Sequence, residues 1–128
     1  MSQQSTYELI GGAATIRKIV EAFYPKVQQN AQLGPLFPKD ITPVMEKQYL
    51  FLTQFFGGPP LYTEQYGHPM MRARHLPFAI TENRAKAWLG CMKEALEEIE
   101  LPEATRAFIL DRLSGPAYHF INSDDEQE

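Results

Sequence analysis

Apolar residues recur every three or four positions along most of the chain, which is the period of an α-helix with one buried face. The first such stripe consists of Ile16, Ile19, Val20, Phe23 and Val27. Gly11 and Gly12 precede it and are expected to end a short helix that begins near Ser5 or Thr6. Pro25 lies inside the pattern and, lacking a backbone N–H, is expected to kink the first long helix.

A second long helix is predicted to begin with Thr42 as its N-cap and Pro43 in the first helical position. The preceding residues 33–38 contain a glycine and two prolines and predict a turn with apolar anchors. The Gly-Gly-Pro-Pro run at residues 57–60 is expected to end the helix, and residues 61–70 show no clear periodicity. The stripe of this helix consists of Val44, Phe51, Leu52 and Phe55.

A third long helix is predicted to follow Thr81, a favourable N-cap, and a last one to begin near Pro102. Gly115 and Pro116 are expected to bend the last helix. The third stripe is Ala85, Trp88, Leu89, Met92, Leu96 and Ile99, and the last is Phe108, Ile109, Leu113, Phe120 and Ile121. Because no strand pattern is found, the sequence predicts an all-α fold of four main helices with an irregular stretch between the second and third.

Composition adds limits to this picture. A length of 128 residues with 44% hydrophobic residues suits one domain over residues 1–128, whose ends, 1–6 and 123–128, are expected to fray. The net charge of −4 argues against a nucleic-acid or anionic-membrane partner. The single cysteine, Cys91, excludes an internal disulfide and is expected to be buried and inert. With neither a signal peptide nor a membrane span in the pattern, a soluble cytoplasmic protein is expected.

Two polar residues stand out against the apolar pattern. His75 follows Arg72 and Arg74, where a protonated imidazole would be repelled and a neutral one, with a lone pair available to a partner, is favoured. Gln48 lies inside the stripe of the second helix, one turn after Val44. A buried amide costs free energy unless it is hydrogen-bonded, so a bound ligand would supply its partner. The alternative for Gln48 is a position at the helix edge that reaches water.

Several short motifs follow one another in a specific order between about Tyr7 and Asn122. They are Gly11-Gly12, Phe23-Tyr24, Phe37-Pro38, Gly57-Gly58-Pro59-Pro60, Tyr66-Gly67-His68-Pro69, Arg72-x-Arg74-His75-x-Pro77-Phe78 and Ala87-Trp88-Leu89-x-Cys91-Met92. In this order and spacing they resemble the truncated haemoglobins, and within them group II. The resemblance implies a truncated globin fold, a two-over-two sandwich of helix pairs around one haem b (iron protoporphyrin IX).

The resemblance implies that His75 is the proximal ligand of the haem iron, since a neutral imidazole is the usual ligand in globins. The alternative is a surface histidine in a basic patch, and His68 and His119 are the competing ligands. The family pattern also implies that Arg74 contacts the haem propionates, with Lys47 and Tyr62 as further candidates. For Lys47, a solvated lysine is the alternative.

On the distal side the resemblance implies a hydrogen-bond network of Tyr24, Gln48 and Trp88 around the bound ligand. A core tyrosine with its hydroxyl at the rim, and plain core packing of the tryptophan, are the alternatives. The sequence leaves open whether Phe23 or Tyr24 reaches the haem. The haem pocket is expected to include Phe37, Val44, Leu52 and Phe78.

The implied function is reversible binding of O2 at ferrous haem, with CO, NO, sulfide and peroxide as other ligands. The donors favour O2 over CO, which predicts high O2 affinity governed by slow release. One alternative is a haem-based redox enzyme on the same scaffold, such as a peroxidase, an NO dioxygenase or a sulfide-handling enzyme, which needs an unidentified reductase. A non-haem helical binding module is a third hypothesis. Whether the chain is a monomer or a homodimer stays open.

Overall fold

The computed structural model describes residues 5–68, 70, 73, 75, 76 and 78–123. Within these ranges the chain is helical and contains no strand. The α-helices with described bounds are α1 (Thr6–Leu9), α2 (Gly12–Gln29), α3 (Thr42–Phe55), α4 (Leu61–Tyr66), α5 (Glu82–Glu98) and α6 (Glu103–His119), with a 3-10 turn at Gly34–Leu36. The prediction of an all-α fold is therefore confirmed.

Two predicted helix boundaries are confirmed, each by an identifiable local interaction. Gly11 and Gly12 have φ angles of 116° and 67°, so the chain turns between α1 and α2 in a conformation that glycine adopts at little cost. At the start of α5 the Thr81 side chain accepts a hydrogen bond from the Arg84 amide at 3.1 Å. This bond satisfies one of the amides that a helix leaves unpaired in its first turn.

The predicted N-cap of the second long helix is wrong by one residue. Thr42 is the first residue of α3, and Ile41 occupies the cap position without a side-chain hydrogen bond. The Thr42 amide is instead satisfied by Oδ1 of Asp40 at 3.1 Å. Because the capping carboxylate lies two residues before the helix, threonine is not needed as the cap.

Helix α4 lies in the region for which the sequence pattern predicts no regular structure. It has six residues, of which Tyr62 is the buried one, so it carries no apolar stripe that could be recognised. It is held instead by the side chain of Gln54 on α3. Gln54 Nε2 donates to Thr63 Oγ1 at 2.8 Å, and its Oε1 accepts from the Thr63 amide at 2.9 Å.

The predicted stripe of the last helix includes one residue that is exposed. Phe108 is 44% exposed, whereas its neighbour Ile109 is completely buried. Consecutive residues on a helix face different directions, so only one of the pair points into the core. Helices α2 and α6 continue through Pro25 and Pro116, both of which lie close to the C-terminal end of their helix.

The core forms where α2 packs against both α3 and α5, while α5 also packs against α6. The four long helices therefore make two pairs, α2 with α3 and α5 with α6, joined through the α2–α5 contact. Side chains buried at these contacts include Ile16, Phe23, Leu52, Met92, Leu96 and Ile109. Within the described part of the chain, no helix is long and apolar enough to cross a membrane.

Helix α1 is attached to the end of α3 at a close backbone approach. The Tyr7 amide donates to the Phe56 carbonyl oxygen at 2.7 Å. A Cβ atom at Gly58 would lie 2.8 Å from the Tyr7 ring and 2.9 Å from the Thr53 carbonyl oxygen. Glycine is therefore required at residue 58, and the Gly-Gly-Pro-Pro run both ends α3 and accommodates α1.

Candidate functional site

A cavity of about 230 Å³ lies among the four long helices and the segment that contains His75. Twelve of its lining residues are apolar, so the cavity favours an apolar ligand. They are Leu33, Leu36, Phe37, Val44, Phe51, Phe55, Ile80, Ala85, Leu113, Pro116, Ala117 and Phe120. The residues that carry polar side-chain atoms into this wall are Tyr24, Gln48, His75, Arg84 and Trp88.

The Tyr24 side chain is 3% exposed, and its hydroxyl forms no hydrogen bond with any described residue. In the described part of the chain no fully enclosed side-chain nitrogen or oxygen lacks a partner. The hydroxyl must therefore reach the open space of the cavity. Burial raises the pKa of Tyr24 far above its usual range, because a tyrosinate there would lose its hydration. The phenol is therefore protonated at neutral pH and can act as a hydrogen-bond donor.

Of the neighbours Phe23 and Tyr24 on α2, one lies in the cavity wall and the other in the core. Tyr24 lines the cavity, whereas Phe23 is completely buried in the core and does not line it. The Phe23 ring meets the rings of Tyr24 and Trp88 edge to face, with centroids 4.9 and 5.0 Å away. Phe23 is therefore a packing support for two of the polar residues in the cavity wall.

Gln48 on α3 and Trp88 on α5 line the same cavity. Both are partly buried, and neither side chain has a hydrogen-bond partner within the described residues. An amide and an indole N–H left without partners in an apolar wall are costly unless a ligand or water accepts their protons. Together with Tyr24, they give the cavity three donors available to a guest molecule.

His75 is the histidine that lines the cavity, among the three in the chain, all of which the structure describes. Its ring stacks on Phe120 with centroids 4.5 Å apart and an interplanar angle of 13°. His68 is exposed, and its Nδ1 accepts a hydrogen bond from the Met70 amide at 3.2 Å. His119 is exposed and lies beside Phe120 outside the cavity wall.

Arg84 is a cavity residue that the sequence analysis does not single out. Its Nε donates to the Gln32 carbonyl oxygen at 3.0 Å, and its Nη1 donates to the Ala79 carbonyl oxygen at 2.6 Å. It therefore ties the segment after α2 to the segment before α5. No carboxylate of the described residues pairs with its charge. The sequence carries no signal for this role, because Gln32 is 52 positions away.

The predicted haem-pocket residues divide into two groups. Phe37 and Val44 line the cavity. Leu52 does not line it, because its side chain, 1% exposed, packs in the hydrophobic core. Phe78 does not line it either and is 45% exposed.

Two of the three residues predicted to contact the propionates, Lys47 and Tyr62, do not line the cavity. Lys47 is exposed, and its Nζ lies 5.1 Å from the centroid of the Tyr66 ring. Tyr62 is buried between Phe51 and Tyr66, with ring centroids at 6.0 and 5.1 Å. The third candidate, Arg74, lies outside the described residues.

Comparison with known proteins identifies the family of this chain. The sequence profile of the bacterial-like globin family matches residues 5–122. Group 2 truncated hemoglobin YjbI of Bacillus subtilis is 46% identical over 127 residues, which cover 99% of this chain and 96% of that protein. The chain is therefore a globin of the bacterial-like family.

Solved structures define its position within the family. The crystal structure of the group II truncated hemoglobin from Bacillus anthracis matches with a TM-score of 0.95 and 45% identity, covering 99% of this chain and 98% of that chain. The X-ray structure of the truncated oxygen-avid haemoglobin from Bacillus subtilis matches with a TM-score of 0.89 and 49% identity. The match covers 93% of this chain and 100% of that chain. This chain belongs to the group II truncated haemoglobins, and its fold is the two-over-two globin fold, as the sequence motifs predict.

Proposed function

We propose that this chain binds haem b in the cavity, with His75 as the proximal ligand, and binds dioxygen reversibly at the ferrous iron. The observation that carries the proposal is the content of the cavity wall. The His75 imidazole lines the same, mainly apolar space as Tyr24, Gln48 and Trp88. The hydrogen-bond donors of the last three residues have no partner within the described part of the chain. The similarity to an oxygen-avid haemoglobin of Bacillus subtilis supports this choice of ligand.

The residues of the cavity fit a haem by their chemistry. The apolar side chains suit the porphyrin, and a neutral imidazole supplies the nitrogen ligand that globins use. When bound, the haem would supply an iron that coordinates a diatomic molecule. The guanidinium of Arg84, which no described carboxylate neutralises, lowers the cost of placing an anionic cofactor beside it. A contact of Arg74 with the propionates stays part of the proposal.

Tyr24, Gln48 and Trp88 determine which small molecule the cavity retains. Their hydroxyl, amide and indole groups donate hydrogen bonds, so they stabilise a ligand that accepts them. Dioxygen accepts hydrogen bonds at iron more strongly than carbon monoxide does, and the donors therefore discriminate in its favour. The expected consequence is slow dioxygen release; CO and NO are expected to bind the same position.

Reversible binding is favoured over a redox enzyme by the proton chemistry of the wall. A general acid or base needs a pKa near the working pH, and neither an amide nor an indole titrates there. Burial raises the pKa of Tyr24, so the phenol is not a proton shuttle at neutral pH. Val44 is apolar, and the imidazole among the described wall residues is that of His75, which iron ligation would occupy.

Absorption spectra of the purified protein test the proposal in its ferric form, after reduction by dithionite, and with added CO. A Soret band that shifts on reduction, followed by the CO adduct of a histidine-ligated haem, is expected. His75→Ala is expected to lose this signature, and imidazole added to the solution is expected to restore it. His68→Ala, which removes an exposed histidine outside the cavity, is the matched control. Failure of the wild type to take up added haem would overturn the proposal.

A further inference from the structure

The C-terminal end of the chain holds the segment that carries His75. This segment, called here the proximal segment, consists of the described residues His75, Leu76, Phe78, Ala79 and Ile80. The side chain of Asn122 makes three hydrogen bonds to it. Nδ2 donates to the carbonyl oxygens of His75 at 3.2 Å and Phe78 at 3.0 Å, while Oδ1 accepts from the Ile80 amide at 2.9 Å.

Backbone hydrogen bonds reinforce this attachment. The amides of Asn122 and Ser123 both donate to the Ile80 carbonyl oxygen, at 2.9 and 3.2 Å. Asn122 and Ile80 therefore exchange hydrogen bonds in both directions. The Ser123 hydroxyl donates to Asn122 Oδ1 at 2.9 Å and so helps to orient the amide. A single side chain thus joins the start and the end of the proximal segment.

Phe120 makes a second contact from the same end of the chain. It follows α6, lines the cavity, and stacks on the His75 ring with centroids 4.5 Å apart and an angle of 13° between the planes. This stacking restricts the tilt of the imidazole, while Asn122 holds the backbone from which the ring projects. Phe120 and Asn122 are two residues apart, so one short stretch of chain contacts both the ring and the backbone of His75.

We propose that Asn122, together with Phe120, is a positioning residue for His75 that sets the strength of the bond between the imidazole and the haem iron. The inference rests on the proposed haem-binding function. An axial ligand bonds well only when its nitrogen and ring plane are held in place, and groups behind a metal ligand commonly provide this restraint. Here the restraint acts through the backbone carbonyl of the ligand residue and through the face of its ring.

Two substitutions of Asn122 test the donor and acceptor groups of its side chain separately. Asn122→Ala removes all three side-chain bonds. Asn122→Asp keeps an oxygen that accepts from the Ile80 amide but loses the donation to the carbonyls of His75 and Phe78. Ser5→Ala is the matched control, because it removes the capping bond to the Glu8 amide in α1, outside the cavity wall. The control is expected to lower stability without altering the surroundings of His75.

Three measurements on the full chain give the readouts. The first is hydrogen exchange of the Ile80 amide, which needs no haem. The others, on the reconstituted protein, are the iron–histidine stretching band of the reduced haem in resonance Raman spectra and the rate of haem transfer to excess apomyoglobin. In Asn122→Ala we expect about 10-fold faster exchange at Ile80, about 10-fold faster haem loss and a shifted or broadened iron–histidine band. Asn122→Asp is also expected to lose haem faster and to change the iron–histidine band, but to show a smaller increase in Ile80 exchange.

A further substitution tests the ring contact alone. Phe120→Leu keeps an apolar side chain in the cavity wall but removes the stacked ring, so the iron–histidine band is expected to move while Ile80 exchange stays as in the wild type. Ser5→Ala is expected to leave both the band and the haem-transfer rate unchanged.

The outcomes distinguish this inference from the proposed function. If the wild type shows a histidine-ligated haem and neither Asn122 variant changes its band or its rate of haem loss, positioning by Asn122 is disproved while the proposed function stands. Unchanged Ile80 exchange in Asn122→Ala would likewise overturn the inference, because the bond it removes would then not restrain the segment. A wild type without any histidine-ligated haem would instead refute the proposed function.

Discussion

Tyr24, Gln48 and Trp88 come from three different helices, and each leaves a donor group facing the same cavity. Donor groups without protein partners in an apolar wall destabilise the protein unless water or a guest molecule accepts their hydrogen bonds. Natural proteins accept such a cost mainly at functional sites. At the scale of single residues, the unsatisfied donors are therefore the strongest indication of ligand binding in this molecule.

Removal of one donor is expected to accelerate dioxygen release. Tyr24→Phe and Trp88→Phe each delete one of the hydrogen bonds proposed to hold the ligand. The loss is about 1–2 kcal/mol, and the dissociation rate is expected to rise roughly 5- to 30-fold. Stopped-flow displacement of dioxygen by CO measures this rate. Tyr49→Phe is the matched control, because the Tyr49 ring lies under the Arg17 guanidinium and does not line the cavity. Unchanged rates in both cavity variants would show that the donors do not contact the ligand.

The buried phenol also makes stability depend on pH in the alkaline range. The pKa of Tyr24 is raised in the folded state by burial, whereas an unfolded tyrosine titrates at about 10. As the pH rises, Tyr24 therefore loses its proton in the unfolded state before it does so in the folded state. Stability is unaffected by Tyr24 below pH about 10 and falls by up to about 1.4 kcal/mol per pH unit above it. Urea unfolding at increasing pH is expected to show a steeper loss in the wild type than in Tyr24→Phe, and equal slopes would contradict the raised pKa.

At the scale of secondary structure, the long helices are predictable because their apolar stripes and breakers are local properties of the sequence. The Gly-Gly break before α2, the Thr81 cap of α5 and the end of α3 at the Gly-Gly-Pro-Pro run all follow from these properties. Helix α4 does not, because Gln54 on another helix stabilises it. The same limit applies to Phe108, since the pattern does not reveal which of two adjacent apolar residues faces a partner helix.

The N-cap residue of α5, the helix that carries Trp88 and Arg84, is expected to contribute measurably to stability. Thr81→Ala removes the hydrogen bond that the side chain accepts from the Arg84 amide, and the free energy of unfolding is expected to fall by about 1 kcal/mol. Thermal or urea unfolding measures the change. Thr105→Ala within α6 is the matched control; its side chain has no hydrogen bond within the described residues, so a change near zero is expected. Equal losses in the two variants would rule out a specific capping effect.

At the scale of the whole molecule, all four long helices contribute residues to the wall of the cavity. Loss of contacts around an empty apolar space lowers stability, and a ligand that binds only the folded state restores it. Ion pairs on the surface contribute little by comparison. The Arg17–Glu46 and Lys26–Glu98 pairs, at 2.9 and 3.1 Å, link α2 to its two neighbours but are partly exposed.

Removal of haem is therefore expected to lower the unfolding temperature, and reconstitution is expected to restore it. With free haem at about 100 times its dissociation constant, the folded state gains about 2.7 kcal/mol. Differential scanning calorimetry of the apo and reconstituted protein measures the shift. A haem-independent unfolding temperature would show that the cavity does not bind haem in the folded state.

The sequence alone determined the helical class of this protein, its long helices, and the motifs that place it among the group II truncated haemoglobins. These features are determined by the sequence because the spacing of apolar residues, the helix-breaking residues and the order of the motifs can all be read directly along the chain. Tertiary structure decided that Tyr24 rather than Phe23 reaches the cavity, that Leu52 and Phe78 do not line it, and that Arg84 does. It also brought Asn122 to His75, 47 positions away along the chain. Such contacts depend on how helices rotate and pack against one another, and the one-dimensional pattern does not encode those relations.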